Sequence, residues 1–391
     1  MKQPKWWRNP RVRAVLVQIV FCLVVLWSFL WLFANTTANL NERGIQTSMS
    51  FLDQVAPFQI GFSPFIEYVL GTSTYMEVFF IGLLNTLLVS VLGIIAATLL
   101  GFLVGVLRLS PNWLVAKIAN SYIEALRNIP LLLQLFFWNF AVFLPSLPGP
   151  RQSLAFADAV FLNNRGLYIP GIEFTSGLVE ILFFASMAAG VLFTILYRRR
   201  ARQIQRETGK PPRVFWVGVA SIFGLPILVL LFGGGAIEYD VPELKKFDFE
   251  GGLNVPLALF VLWFGLTVYT SAFIAENVRG GISAVSHGQT EAARSLWFTR
   301  GQMLRLIIIP QAMRVIIPPT ISQYLNLTKN SSLAVAVSYE EIVAIWAGIS
   351  LAQTGQALII IGMTILVYET MSLGTSAVLN WYNKRVQLVE R

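Results

Sequence analysis

Eight long apolar runs divide the chain, at about 12–34, 78–107, 118–144, 176–197, 214–232, 255–275, 315–337 and 357–381. A helix crosses the hydrocarbon core of a bilayer with roughly 20 predominantly apolar residues, so the pattern predicts eight transmembrane helices. The first run is longer than the roughly 7–15-residue apolar core of a signal peptide. Phe33-Ala34-Asn35 also makes a poor cleavage site, so this run reads as a retained anchor. In the second run Gly93, Ala97, Gly101 and Gly105 recur at a four-residue spacing, which lays small side chains along one helix face. Such a stripe predicts close helix packing where no hydrophobic effect drives association.

Composition agrees. The 391 residues are 55% hydrophobic and 13% charged, against about 25% charged in a soluble globular protein. A chain so poor in charge cannot cover a water-facing surface, and the reading is an all-α polytopic membrane protein. The net charge of +9 reflects basic loops rather than nucleic-acid binding. With the N-terminus inside, 23 basic residues fall on cytoplasmic segments and five outside, with Lys329 inside a run. By the positive-inside rule both termini are cytoplasmic. One cysteine, Cys22, and one histidine, His287, exclude a disulfide framework, a Cys/His metal site and a Cys–His nucleophile pair. Neither catalytic nor metal-ligating residues are expected, and no G-x-x-x-x-G-K-[ST] phosphate loop is present.

Most information lies between Glu276 and Pro319. Ser286-His287-Gly288-Gln289 has the S-x-x-Q spacing of a capping box, and a short amphipathic helix follows through Glu291, Arg294 and Leu296-Trp297-Phe298. By composition alone this is an interfacial helix lying on the membrane. However, Glu291-Ala292-Ala293 followed about sixteen residues later by Ile309-Pro310 resembles the EAA loop of permease subunits of bacterial ATP-binding-cassette (ABC) importers. The phrases Ala275-Glu276-Asn277-Val278-Arg279-Gly280-Gly281, Pro310-Gln311-Ala312-Met313-Arg314, Glu124-Ala125-Leu126-Arg127-Asn128-Ile129-Pro130 and Asn85-Thr86 are similar to the polar amino-acid branch. The stretch from Ser322 to Val335 resembles the long permeases of general L-amino-acid systems.

The resemblance implies a type I ABC importer permease core in the bacterial inner membrane. It divides the chain into an N-terminus and anchor (1–34), a periplasmic loop (35–77), core helices (78–144), an inserted loop and extra helix pair (145–254), and a second core part (255–391) whose coupling loop spans about 276–314. It assigns ATPase coupling to Glu291, Ala292, Ala293, Arg294, Leu296, Trp297 and Gly301. Implied partners are a cytoplasmic ATP-binding subunit dimer that binds ATP and Mg, a second homologous permease, a periplasmic amino-acid-binding protein, the amino-acid substrate and membrane lipid. The chain itself needs no cofactor. One departure concerns Trp297, which stands where the family has a glycine. Tryptophan resists the positive φ that glycine allows, so Gly301 is expected to carry the bend instead.

Lys329 is the polar residue that stands out within the runs. An ammonium in the bilayer costs about 3 kcal/mol on insertion scales, so it should face protein or a water-filled path. Asn326, Lys329 and Asn330 share a helix face, with Ser331 and Ser332 next to them. The cluster reads either as a substrate path or as a structural polar network. Gln134 reads as a path residue or as helix–helix glue. Glu124 is placed to pair with Arg127, and Glu369 has no obvious partner. A transporter driven by an ion gradient needs intramembrane acids and inverted repeats, and Glu369 is the one clear acid deep in a run. A membrane-embedded enzyme lacks any paired carboxylates or Ser–His arrangement.

Overall fold

The computed structural model describes residues 10–42, 48–209, 212–232, 237–246 and 248–386. The helices are α1 Pro10–Glu42, α2 Tyr75–Arg108, α3 Trp113–Asn128, α4 Leu131–Phe136, α5 Leu144–Ser146, α6 Gly177–Thr208 and α7 Val214–Phe232. They continue with α8 Leu257–Ser283, α9 His287–Ser295, α10 Arg300–Met303, α11 Ile309–Asn330, α12 Leu351–Thr354 and α13 Ala357–Val386. Among the described residues, seven helical spans are long and apolar enough to cross a bilayer, and the bent pair of Trp113–Asn128 with Leu131–Ser146 makes an eighth. The chain forms two compact units, Met1–Trp138 with Val261–Arg391, and Asn139–Phe260.

In the first unit α2 is the central element. Thr74 and Glu77 close a capping box at its start, which satisfies two of the free N–H groups of the first turn. The glycine stripe does what its spacing predicts. Side-chain atoms of Ile274 on α8 come within 2.6 Å of where a Cβ on Gly101 would stand, and Gly105 meets Ala275 and Val278 as closely. A second core forms where Phe51, Tyr75, Ile81, Ile345 and Trp346 pack together, with Phe51 stacked on Trp346 at 5.9 Å. By contrast, none of the apolar window of α1 is buried.

Two elements depart from the apolar runs. The third run is not a straight span: α3 and α4 meet at a 106° bend. Pro130 lacks an N–H and disfavours helix in the residue before it, and Ile129 is extended at φ −99°, ψ 127°. The chain after α4 runs as a π-helix, Phe137–Phe143, into α5. The seventh span starts earlier than the run suggests, at Gly301, and ends at Val337. Its last turns are 3-10 helix, Ser331–Val337, and a further π-helical piece, Ile342–Ser350, leads into α12.

The second unit holds α6 and α7 packed on each other, with Gly190 against Ser221. It also contains short antiparallel strands that hydropathy does not register: β1 Leu154–Phe156, β2 Val160–Asn163, β3 Gly166–Ile169, β4 Gly171–Phe174, β5 Ile237–Asp240, β6 Glu243–Leu244, β7 Phe249–Glu250 and β8 Leu253–Pro256. The four-stranded sheet has the order β1-β2-β3-β8, and β4-β5 and β6-β7 form two small ribbons. The Tyr168 ring of this sheet meets the Phe249 ring of β7 at 4.9 Å, tilted by 34°. The Asp248 carboxylate accepts from the Tyr168 hydroxyl at 2.8 Å and pairs with Arg165.

Candidate coupling and transport site

The loop between α8 and α11 is built around α9. Its buried side is Ala293, which packs with Met303 and Ile308 and is flanked by Ile282, Val285, Phe298 and Ile307. Glu291, Ala292, Arg294, Leu296 and Trp297 all stand on the exposed side. The resemblance groups Ala293 with the coupling residues, and the structure gives it a different task from its neighbours: it seats the helix. The cluster joins the end of α8 to the residues that lead into α11 through close-packed contacts.

The elbow after α9 corrects the sequence expectation. Trp297 itself takes positive φ, +56°, and Gly301 lies inside α10 with no such angle. The Phe298 N–H donates to the Ala293 carbonyl at 3.1 Å, and the Trp297 N–H to Arg294 at 2.9 Å. These two bonds make a Schellman cap, which requires a left-handed residue at the Trp297 position. Phe298 packing near Ala293 supplies the hydrophobic contact that accompanies such caps. The indole is left 93% exposed, beside Leu296 at 68%. The expected capping box at Ser286 does not form. Ser286 makes no side-chain cap bond, and Gln289 instead accepts from Gln311 across the loop at 3.2 Å. His287 lies 3.3 Å from the Glu291 carboxylate.

Where α8 runs into the loop, Glu276 gathers three arginines. Arg108 on α2 and Arg279 both pair with it, and Arg127 is 3.9 Å away. Arg127 also sits over the Phe273 ring at 5.3 Å. The expected Glu124–Arg127 pair is therefore replaced by Arg127–Glu276, and Glu124 accepts from Asn120. The Ala275–Gly281 phrase thus serves to lock α8 to α2 and α3 at the mouth of the loop.

Lys329 is in the last turn of α11, not mid-helix. Asn326 and Lys329 are exposed, while Asn330 and Ser332 are partly covered and Ser331 is buried. The Ser331 hydroxyl donates to the Thr328 carbonyl and Ser332 to that of Lys329, so both hydroxyls help turn the helix into its 3-10 extension. Among the described residues no carboxylate pairs with Lys329. Gln134 is buried and donates to the Leu126 and Ile129 carbonyls at 2.8 and 2.9 Å, which fixes the α3–α4 bend. That bend sets α4 against Ser331–Val337. Glu369 is exposed on α13.

A polar cluster that the sequence reading missed lies beyond Lys329. The Glu340 carboxylate accepts the Gly61 and Phe62 N–H groups at 2.8–3.0 Å. Asn85 donates to the Phe62 and Glu340 carbonyls, and the Tyr339 hydroxyl donates to that of Asn85. Buried Glu341 accepts the Ala344 N–H at 2.9 Å and lies 3.3 Å from both the Thr86 and Tyr368 hydroxyls. A buried carboxylate is tolerated only when it is hydrogen-bonded in this way. Asn85-Thr86 thereby joins α2 to the turn after α11 and to the loop around Gly61.

The chain is 49% identical to the putative amino-acid ABC transporter permease protein YhdX of Escherichia coli (strain K12), over 98% of this chain and 96% of that one. It is 42% identical to the general L-amino acid transport system permease protein AapQ of Rhizobium johnstonii, over 98% and 94%. With the glutamate/glutamine/aspartate/asparagine transport system permease protein BztB of Rhodobacter capsulatus it shares 41%, over 98% and 96%. The chain belongs to the amino-acid ABC transporter permeases. No protein-family model matches it. The permease is a multi-pass membrane protein and a transporter component rather than an enzyme, as its motifs implied.

Proposed function

We propose that this permease is one half of a heterodimeric importer in the bacterial inner membrane, carrying L-amino acids inward with both of its termini in the cytoplasm. The reading takes α9 as the element that docks on a cytoplasmic ATP-binding subunit. ATP and Mg bind that subunit, so this chain holds no cofactor. A periplasmic binding protein delivers the amino acid, and a second permease completes the path. What carries the reading is the division of α9 into a buried face that rests on α8 and α11 and an exposed face of Glu291, Ala292, Arg294, Leu296 and Trp297. Such an element can receive a movement on one side and pass it to two spans on the other.

On this reading Lys329 offers its ammonium to the substrate carboxylate, with Asn326, Asn330, Ser331 and Ser332 beside it, and Gln134 shapes the opposite wall through the α3–α4 bend. The exposure of Lys329 and Asn326 in the isolated chain supports this, since a path between two permeases is lined by residues that each half leaves uncovered. The test is uptake by proteoliposomes that contain both permeases and the ATP-binding subunit. Labelled L-amino acids should enter only with ATP and binding protein present, and Glu291→Lys should abolish both uptake and binding-protein-stimulated hydrolysis. Charge reversal at a docking surface changes both the contact and the electrostatic match to the partner. Normal uptake by Glu291→Lys contradicts the assignment.

A further inference from the structure

Helix α6 is longer than a bilayer crossing requires. Its predominantly apolar stretch from Leu178 to Leu196 already fills the roughly 30 Å hydrocarbon core at about 1.5 Å per residue, and the helix continues to Thr208. That extension carries Arg198, Arg199, Arg200, Arg202 and Arg206, and Arg213 lies just before α7. All six side chains are exposed, and no acidic side chain pairs with them among the described residues. Arg198, Arg202 and Gln205 line a pocket of about 210 Å³, closed by Ala201, Pro212 and Val214.

A second observation fixes the depth of this pocket. Tyr197 stacks on Phe193 directly above the arginines, and on the neighbouring helix Phe215 and Trp216 lie edge to face at 5.3 Å, both exposed. Aromatic side chains of this kind settle at the headgroup level of a bilayer. Arg198 to Arg202, which begin at the next residue and extend about 6 Å along the helix, therefore fall at the level of the lipid phosphates.

We propose that the base of the α6–α7 pair is a binding site for the phosphate of an anionic phospholipid, held by Arg198 and Arg202 in the pocket and surrounded by the remaining arginines. Guanidinium groups bind phosphate oxygens through paired, charge-assisted N–H bonds. A group of four to eight basic residues adjoining a span attracts anionic lipid. The site lies outside the helices assigned to transport, and it stands whichever side of the membrane the pair ends on.

The purified importer, given equal amounts of phosphatidylglycerol and phosphatidylcholine in mild detergent, is analysed by native mass spectrometry. The parent should retain the anionic lipid severalfold over the neutral one. Arg198→Gln/Arg202→Gln should lose most of that preference, and Lys245→Gln/Lys246→Gln should keep it. A measurement on the parent alone guards against a variant that does not fold: the preference should collapse towards about 1 M salt, where the screening length falls to a few ångströms. Millimolar inorganic phosphate should not displace the lipid. Displacement would assign the site to a free anion and overturn the lipid proposal. Equal retention of the two lipids, a preference indifferent to salt, or an undiminished preference in the double variant would each overturn it as well.

Discussion

Trp297 allows the strain in the coupling loop to be separated from the contact it offers. A tryptophan in the left-handed region presses its Cβ against the following carbonyl, at a cost of about 1–2 kcal/mol. Its side chain is 93% exposed, so its removal gives up almost no burial. Trp297→Gly relieves the strain, and the greater freedom of glycine in the unfolded chain takes back about 0.5–1 kcal/mol. From the midpoints of the two ranges the net gain is about 0.75 kcal/mol, a roughly three- to fourfold shift in the local opening equilibrium. Trp297→Ala also removes the indole but keeps the Cβ, so the strain stays. The observable is amide exchange at Phe298, whose N–H bonds the Ala293 carbonyl and is released when the cap opens. Exchange should slow about three- to fourfold in Trp297→Gly and not in Trp297→Ala. Equal shifts in the two variants, or faster exchange in the glycine variant, refute the argument.

Three further outcomes follow from the structure. Gly101→Ala places a methyl 2.6 Å from the Ile274 Cβ and should lower the stability of the purified permease by about 1–3 kcal/mol through overpacking; Gly362→Ala, with open space around it, should not, as thermal melts of both would show. Burial raises the Asp248 carboxyl, but the Arg165, Tyr168 and Phe249 donors outweigh it and hold the group below its ordinary value. Its contribution to the insert is therefore present above the unfolded carboxylate range and fades as the pH falls below it, so exchange protection of β7 and β8 should drop on acidification and flatten in Asp248→Asn. Lys329→Met should assemble normally, losing about 0.3–1 kcal/mol of interaction with the helix C-terminus, while uptake of several amino acids falls; parental rates for all of them would make Lys329 purely structural.

The spans were legible because length and hydropathy are local properties of the chain. The glycine stripe was legible for the same reason, since its four-residue spacing marks one face whatever packs there. Pro130 carried the signal for the bend, but the apolar run continued past it and hid the break. The π-helix Ile342–Ser350 was missed because it is shorter than a span. The strands of the insert were missed because they are two to four residues long, too short for alternation to register. The Tyr339-Glu340-Glu341 cluster had a visible trace, two adjacent acids between apolar runs. Its meaning was not readable, because the Asn85 and Thr86 groups that it meets are about 255 residues away. Arg127 shows the same limit: Glu124 was its neighbour in sequence, and Glu276 is its partner in space.

The central claim is that the exposed face of α9 meets the ATP-binding subunit. The direct measurement is cross-linking from Leu296→Cys, with exposed Cys22 replaced by serine, in membranes holding the assembled importer. The account predicts a product with the ATP-binding subunit that disappears when Glu291→Lys is added. A product with the periplasmic binding protein instead, or none with the ATP-binding subunit while transport is intact, would contradict both the docking and the orientation on which it rests.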